Sequence, residues 1–192
     1  MSIYGNLTVI CGPMYAGKTT EILKRILWAR HEGKRVLVVK PSFDNRYSEN
    51  EIVSHDGLSS PSMSITCWED ITNSSDYDLI CFDEVQFFND ALFSGDIVKI
   101  VKGILFNGQN VVVNGLDMDW RGVPFEVTGK LMAMADSVVK LSANCNICGK
   151  PAYKTFKKQV NGSQVELGAS ELYDARCNAH WAYSSEDDLN LG

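Results

Sequence analysis

Along the chain, short runs of apolar and β-branched residues alternate with longer stretches in which apolar residues recur every three or four positions. Five such runs stand out: Leu7-Thr8-Val9-Ile10-Cys11, Val36-Leu37-Val38-Val39, Leu79-Ile80-Cys81-Phe82, Val111-Val112-Val113 and Val138-Val139-Lys140-Leu141. Each has strand length and is apolar on both faces, the pattern of a parallel sheet covered on both sides by helices. Between the first two, Ile22, Ile26 and Ala29, flanked by Leu23 and Leu27, form one apolar stripe at helical spacing, with Gly33 placed to end the helix. Phe93, Ile97, Ile100, Val101 and Ile104 predict a second helix over roughly residues 90 to 106. Strands alternating with helices define an α/β fold. Residues 48 to 64, SENEIVSHDGLSSPSMS, are polar and rich in turn formers, so a mobile connection with at most one short strand is expected there.

After about residue 143 the pattern changes. Short β-like pieces, an Asn161-Gly162 turn signal and cysteines at both ends replace the long apolar runs. Too few large apolar residues remain to build an independent core, so something other than burial must hold the segment. The predicted organisation is a main α/β domain over 1–142 and a small β-rich domain over 143–192.

Composition narrows the function. The 192 residues suffice for one buried core plus a small module. No apolar run approaches the ~20 residues of a membrane span, and the N-terminus lacks a basic flank followed by a long apolar stretch, so a cytoplasmic location is expected. Six cysteines in that setting read as thiols or metal ligands rather than a disulfide framework. A net charge of -6 and a pI near 5.0 disfavour a broad nucleic-acid footprint and favour a small substrate.

Three motifs carry the chemistry. Gly12, Pro13, Met14, Tyr15, Ala16, Gly17, Lys18 and Thr19 follow a predicted strand and open a predicted helix, the setting of a phosphate-binding loop. Backbone N–H groups would face the phosphates, Lys18 would neutralise β and γ oxygens, and Thr19 would offer its hydroxyl to magnesium. The bland alternative is a Gly-rich turn with an exposed lysine. In LICFDEVQFF, an apolar strand runs into Asp83-Glu84, with Val85 and Gln86 next. Asp83 is placed as a magnesium partner and Glu84 as a general base; alone, the pair reads equally as capping carboxylates. Cys145-x-x-Cys148 and Cys177-x-x-His180, with 28 residues between the inner cysteines, form a closed set of four ligands for a structural zinc, which would supply the missing core. Cys11, Cys67 and Cys81 have no such pairing and are expected in or near the core. Leu116, Trp120 and Phe125, in GLDMDWRGVPF after a strand end, are placed to wall a pocket for a flat ring.

GPMYAGKT, DEVQFF, GLDMDWRGVPF and the Cys145/Cys148/Cys177/His180 set, in this order, resemble the thymidine kinases of the class with a zinc-bearing C-terminal lasso, over nearly the whole span from Gly12 to His180. The resemblance implies transfer of the γ-phosphoryl group of ATP, with Mg2+, to the 5′-hydroxyl of thymidine, a homotetramer, and feedback inhibition by dTTP. It implies that Lys18 and Glu84 are catalytic, that Thr19 and Asp83 serve magnesium, and that Met14, Phe87, Leu116, Trp120, Phe125 and Tyr173 line the thymine pocket. Asp44, Arg46 and Tyr47 match a motif near the phosphates. Two positions depart from the family pattern: Trp120 stands where Phe is common, and Gly168-Ala169 where Gly-Gly is usual. Three rivals share parts of this pattern. They are a nucleic-acid-stimulated ATPase, a GTP switch, for which no Asn-Lys-x-Asp stretch occurs, and a non-catalytic zinc-stabilised interaction module.

Overall fold

A computed structural model describes residues 4–42, 50–54, 56–89, 91–158 and 172–181. Alternating apolar residues on two faces make strands β1 (Leu7–Cys11), β2 (Val36–Pro41), β6 (Leu79–Phe82), β7 (Asn110–Gly115) and β8 (Ser137–Lys140). Three shorter strands precede β6: β3 (Glu51–Val53), β4 (Ser59–Pro61) and β5 (Met63–Ile65). The main sheet has the order β5-β2-β6-β7-β1-β8, and each of its pairings is parallel. Helices α1 (Lys18–His31), α2 (Ile97–Phe106) and α3 (Glu126–Met134) flank it.

The two apolar faces of the sheet feed two cores. Leu7, Val9, Ile80, Phe82, Val111 and Val113 pack with Phe88, Phe93, Ile97, Val101 and Leu131. On the opposite face Ile10, Val38, Cys81 and Val112 pack with Ile22, Leu23, Ile26 and Ala29 of α1. Successive strand residues point to opposite faces, so a run without polar interruption serves both layers. Cys11 and Cys81 are buried and Cys67 is half-buried; burial pushes the Cys81 thiol well up.

Several expectations need correction. Helix α2 begins at Ile97 rather than near residue 90, because the Asp96 side chain accepts from the Val98 and Lys99 N–H groups and caps the helix there. Phe93 lies before the helix yet is core, 3% exposed. The polar stretch 48 to 64 carries an antiparallel β3·β4 pair and most of β5, which extends the main sheet beside β2. Strand β8 is an edge strand whose Val138 is 42% exposed, so its apolar run is not covered on both sides. Leu27 stands 47% exposed, off the buried stripe of α1. Helix α3 has a weak apolar pattern, with only Thr128 and Leu131 buried.

The C-terminal part adds β9 (Ala143–Asn144), β10 (Pro151–Ala152), β11 (Lys154–Lys157), β12 (Tyr173–Arg176) and the short helix α4 (Asn178–Trp181). Its core is small: Ala143, Cys145, Ala152 and Ala175, with Tyr15 and Ala16 of the phosphate-loop segment packed against it. The Asn161-Gly162 turn and the Gly168-Ala169 pair lie outside the described residues.

Candidate functional site

The segment 12–19 turns from the end of β1 into α1, so its backbone N–H groups gather at the helix N-terminus, where a phosphate is favoured. Gly12 has φ 144, and a Cβ there would lie 2.4 Å from the Leu141 carbonyl oxygen, so no other residue fits the crossing between β1 and β8. Tyr15 (φ 64) and Gly17 (φ 77) are left-handed, which curls the loop. Pro13 is buried and Met14, Tyr15, Ala16 and Thr19 are half-buried, while Gly17 is exposed. Lys18 is 8% exposed and its ammonium donates to the Pro13 carbonyl at 2.8 Å, inside the curl.

Asp83 and Glu84 follow β6 at the same carboxyl edge of the sheet, with β7 between β6 and β1. Asp83 is 6% exposed, its N–H bonded to Val39 O at 2.8 Å. Glu84 is left-handed at φ 51 and heads the turn Val85–Phe87. Its N–H donates to Asn114 Oδ1 at 2.9 Å, the Gln86 side-chain amide donates to its carboxylate, and Gln86 Oε1 accepts the Leu116 N–H at 3.0 Å. A chain of hydrogen bonds from β7 through Gln86 to the loop after β7 thus fixes the Glu84 backbone and carboxylate. A Cβ on Gly115 would fall 2.5 Å from Gln86 Oε1, so glycine makes room for that bridge.

Hydrogen bonds and contacts join the candidate pocket residues in two groups. Phe87 is 3% exposed beside Gln86, Leu116 is tied to Gln86, and Phe125 lines with Gln86, Phe88 and Asn89 a cleft of about 480 Å³ near the starts of α2 and α3. Met14, Trp120 and Tyr173 gather instead around β11: the Met14 N–H donates to Thr155 Oγ1 at 3.1 Å, Lys157 stands over the Trp120 ring, and Tyr173 is paired with Lys157 across the β11·β12 ladder. Asp44, Arg46 and Tyr47 lie outside the described residues.

The sequence left other members of this site unmarked. Asp117 is 6% exposed and pairs with Lys140 at 2.8 Å, which fastens the loop after β7 to β8 beside Gly12; the carboxylate's hydrogen bond raises the Lys140 pKa. Only Asn114, a polar residue ending an otherwise apolar strand run, gave a readable signal.

Cys145, Cys148, Cys177 and His180 present four ligand atoms within 4.8 Å of one another. Cys145 Sγ lies 3.7 Å and Cys177 Sγ 3.3 Å from His180 Nδ1, and Cys148 and Cys177 sulfurs are 3.8 Å apart. Tetrahedral zinc with Zn–S bonds near 2.3 Å separates its sulfurs by roughly 3.8 Å, so the set fits that metal. Burial pushes the Cys145 thiol up, but N–H groups of Cys177, Ile147 and Cys148 and the His180 ring outweigh it and bring it to about 5, towards the thiolate a metal binds. Thr19 and Asp83 offer hard oxygen donors suited to magnesium.

A phosphate loop at the carboxyl edge of a parallel sheet, acidic residues on the same edge and a Cys3His module define a nucleotide-binding α/β protein with a structural metal lobe. The sequence profile of the family described as thymidine kinase matches residues 5–181. The chain belongs to the thymidine kinase family, and so is a kinase that uses ATP with Mg2+ to phosphorylate thymidine. Nothing here favours the DNA-stimulated ATPase. Among the described residues, no helix is long and apolar enough to cross a membrane.

Proposed function

We propose that Lys18, Thr19, Asp83 and Glu84 carry the transfer and that Met14, Phe87, Leu116, Trp120, Phe125 and Tyr173 hold the thymine ring. The observation that supports this most is Glu84, held by Asn114 and Gln86 at the sheet edge that also bears the phosphate loop. The thymidine 5′-oxygen attacks the γ-phosphorus in line, the bond from that phosphorus to the ADP oxygen breaks, and Glu84 takes the hydroxyl proton. Lys18 exchanges Pro13 for phosphate oxygens and neutralises charge on them. Thr19 and Asp83 would hold the magnesium ion, which would supply further charge neutralisation. Backbone N–H groups of the 12–19 loop and the turn at Val85 and Gln86 complete the nucleotide end, with Asp44 and Arg46 near the phosphates.

In this reading residues 1–142 form the nucleotide-binding domain and 143–192 a zinc-held lasso domain that closes over the nucleoside and keeps water from the γ-phosphate. The family resemblance further supports a cytoplasmic homotetramer inhibited by dTTP. The deciding experiment is transfer of label from γ-labelled ATP to thymidine, deoxyuridine, deoxycytidine and deoxyadenosine, beside single-stranded DNA as a rival activator. Labelled dTMP is the expected main product. Release of phosphate alone, rising with DNA, would overturn the reading.

A further inference from the structure

The loop after β7 and the β11·β12 ladder meet at a buried lysine that phosphoryl transfer leaves unused. Lys157 is 1% exposed. Two residues apart on β11, Thr155 and Lys157 share a face. Thr155 Oγ1 on that face accepts the Met14 N–H of the phosphate loop, so the face is turned towards the nucleotide end. Directly across the ladder Lys157 is paired with Tyr173, and opposed residues stand side by side. On a third side the Lys157 ammonium lies 5.6 Å from the centroid of the Trp120 ring, itself 8% exposed. Two residues assigned above to the thymine pocket, Trp120 and Tyr173, therefore flank one cation, and a third, Met14, is tied to the same strand face through Thr155.

An ammonium withdrawn from water interacts with nearby dipoles far more strongly than a solvated one, because little solvent remains to screen it. The negative face of the indole is a fitting seat for it. We infer that Lys157 is a specificity-determining residue: held on Trp120, its ammonium lends the pocket wall a positive potential that favours a pyrimidine presenting a carbonyl oxygen over one presenting an amino group. Thymine and uracil carry oxygen at C4 and cytosine carries an amino group, so one charge attracts the first two and repels the third. The inference rests on the pocket reading given above.

The test compares wild type, Lys157→Met, Lys157→Arg and Trp120→Ala as full-length, zinc-loaded chains. It measures kcat and KM for thymidine, deoxyuridine, deoxycytidine and ATP, with zinc content and melting temperature alongside. In Lys157→Met the preference for thymidine over deoxycytidine in kcat/KM should fall about tenfold or more. Deoxyuridine should follow thymidine, the loss should appear in nucleoside KM with the ATP KM unchanged, and Lys157→Arg should restore most of it. A lysine that only packs would not produce this split. An unchanged thymidine preference in Lys157→Met, with a raised thymidine KM in Trp120→Ala, overturns the role of Lys157 and leaves the pocket standing. An unchanged thymidine KM in Trp120→Ala overturns the pocket itself, and the inference with it. Should Lys157→Met fail to fold, the side-chain ¹⁵N resonance of Lys157, identified by its loss in Lys157→Arg, must shift more with thymidine than with deoxycytidine. Equal or absent shifts overturn the proposal.

Discussion

Glu84 occupies a backbone conformation that costs an L-residue on the order of 1–2 kcal/mol, and the bonds from Asn114 and Gln86 hold it there. Strain kept at a proposed base predicts a trade between stability and activity. Glu84→Gln should lose ~10²- to 10⁴-fold in kcat with ATP affinity unchanged, and wild-type turnover in that variant would remove Glu84 from the role. Glu84→Gly should lose transfer likewise yet melt higher than Glu84→Ala, which loses the same carboxylate but keeps the left-handed penalty; equal melting temperatures would contradict the strain. A second residue sets an acid limit. Asp70 accepts from the N–H groups of Thr66 and Cys67, which brings its pKa from 3.8 to about 2. A folded-state pKa below the unfolded one contributes stability that is fully present above about pH 4 and is lost as pH falls towards 2. Asp70→Asn should therefore flatten the fall of melting temperature over that interval, and an identical acid profile in both proteins would refute it.

At the scale of elements, the sheet was legible because burial on both faces demands uninterrupted apolar strands, and β1, β2, β6 and β7 satisfy that demand. The run at Val138 looked the same, yet strand order leaves β8 at the edge, and a local pattern carries no information about which strand has only one neighbour. The pattern places the start of α2 too early because Phe93 fits a helical stripe while entering the core from a turn; Asp96, the true cap, carries the signal for the start. Asp96→Ala should cost about 1 kcal/mol in denaturant unfolding, from the lost cap. Helix α3 leaves no periodic signal in the sequence because its few buried residues, Thr128 and Leu131, make no stripe. Within the site, the clustering of Cys145, Cys148, Cys177 and His180 could be read from spacing because a tetrahedral metal needs two close pairs. The bonds Glu84–Gln86–Leu116, Asp117–Lys140 and Met14–Thr155 could not, since sheet order and chain reversals create those neighbours.

For the molecule as a whole, the phosphate loop and the metal lobe share a boundary: Tyr15 and Ala16 pack on the small core beside Cys145, and Met14 bonds Thr155. Purified protein should contain one zinc per chain. Removal of zinc by a chelator, followed by assay with magnesium restored in excess, should abolish transfer to thymidine while far-ultraviolet dichroism keeps the helical signal of α1 to α3; a cooperative loss of both would show that the lobe is part of one folding unit. Trp181 sits at this boundary, one residue past the ligand His180. Its indole N–H donates to Thr155 O at 3.0 Å, and its ring abuts Gly122 so closely that a Cβ there would be 2.8 Å away. That placement makes the ring an optical gauge. Its emission should respond when the metal leaves, against a steadier signal from Trp28, which is 67% exposed on α1. The state of the lobe can thus be followed by light in the unlabelled protein, at enzyme concentrations where turnover is measured in the same cuvette.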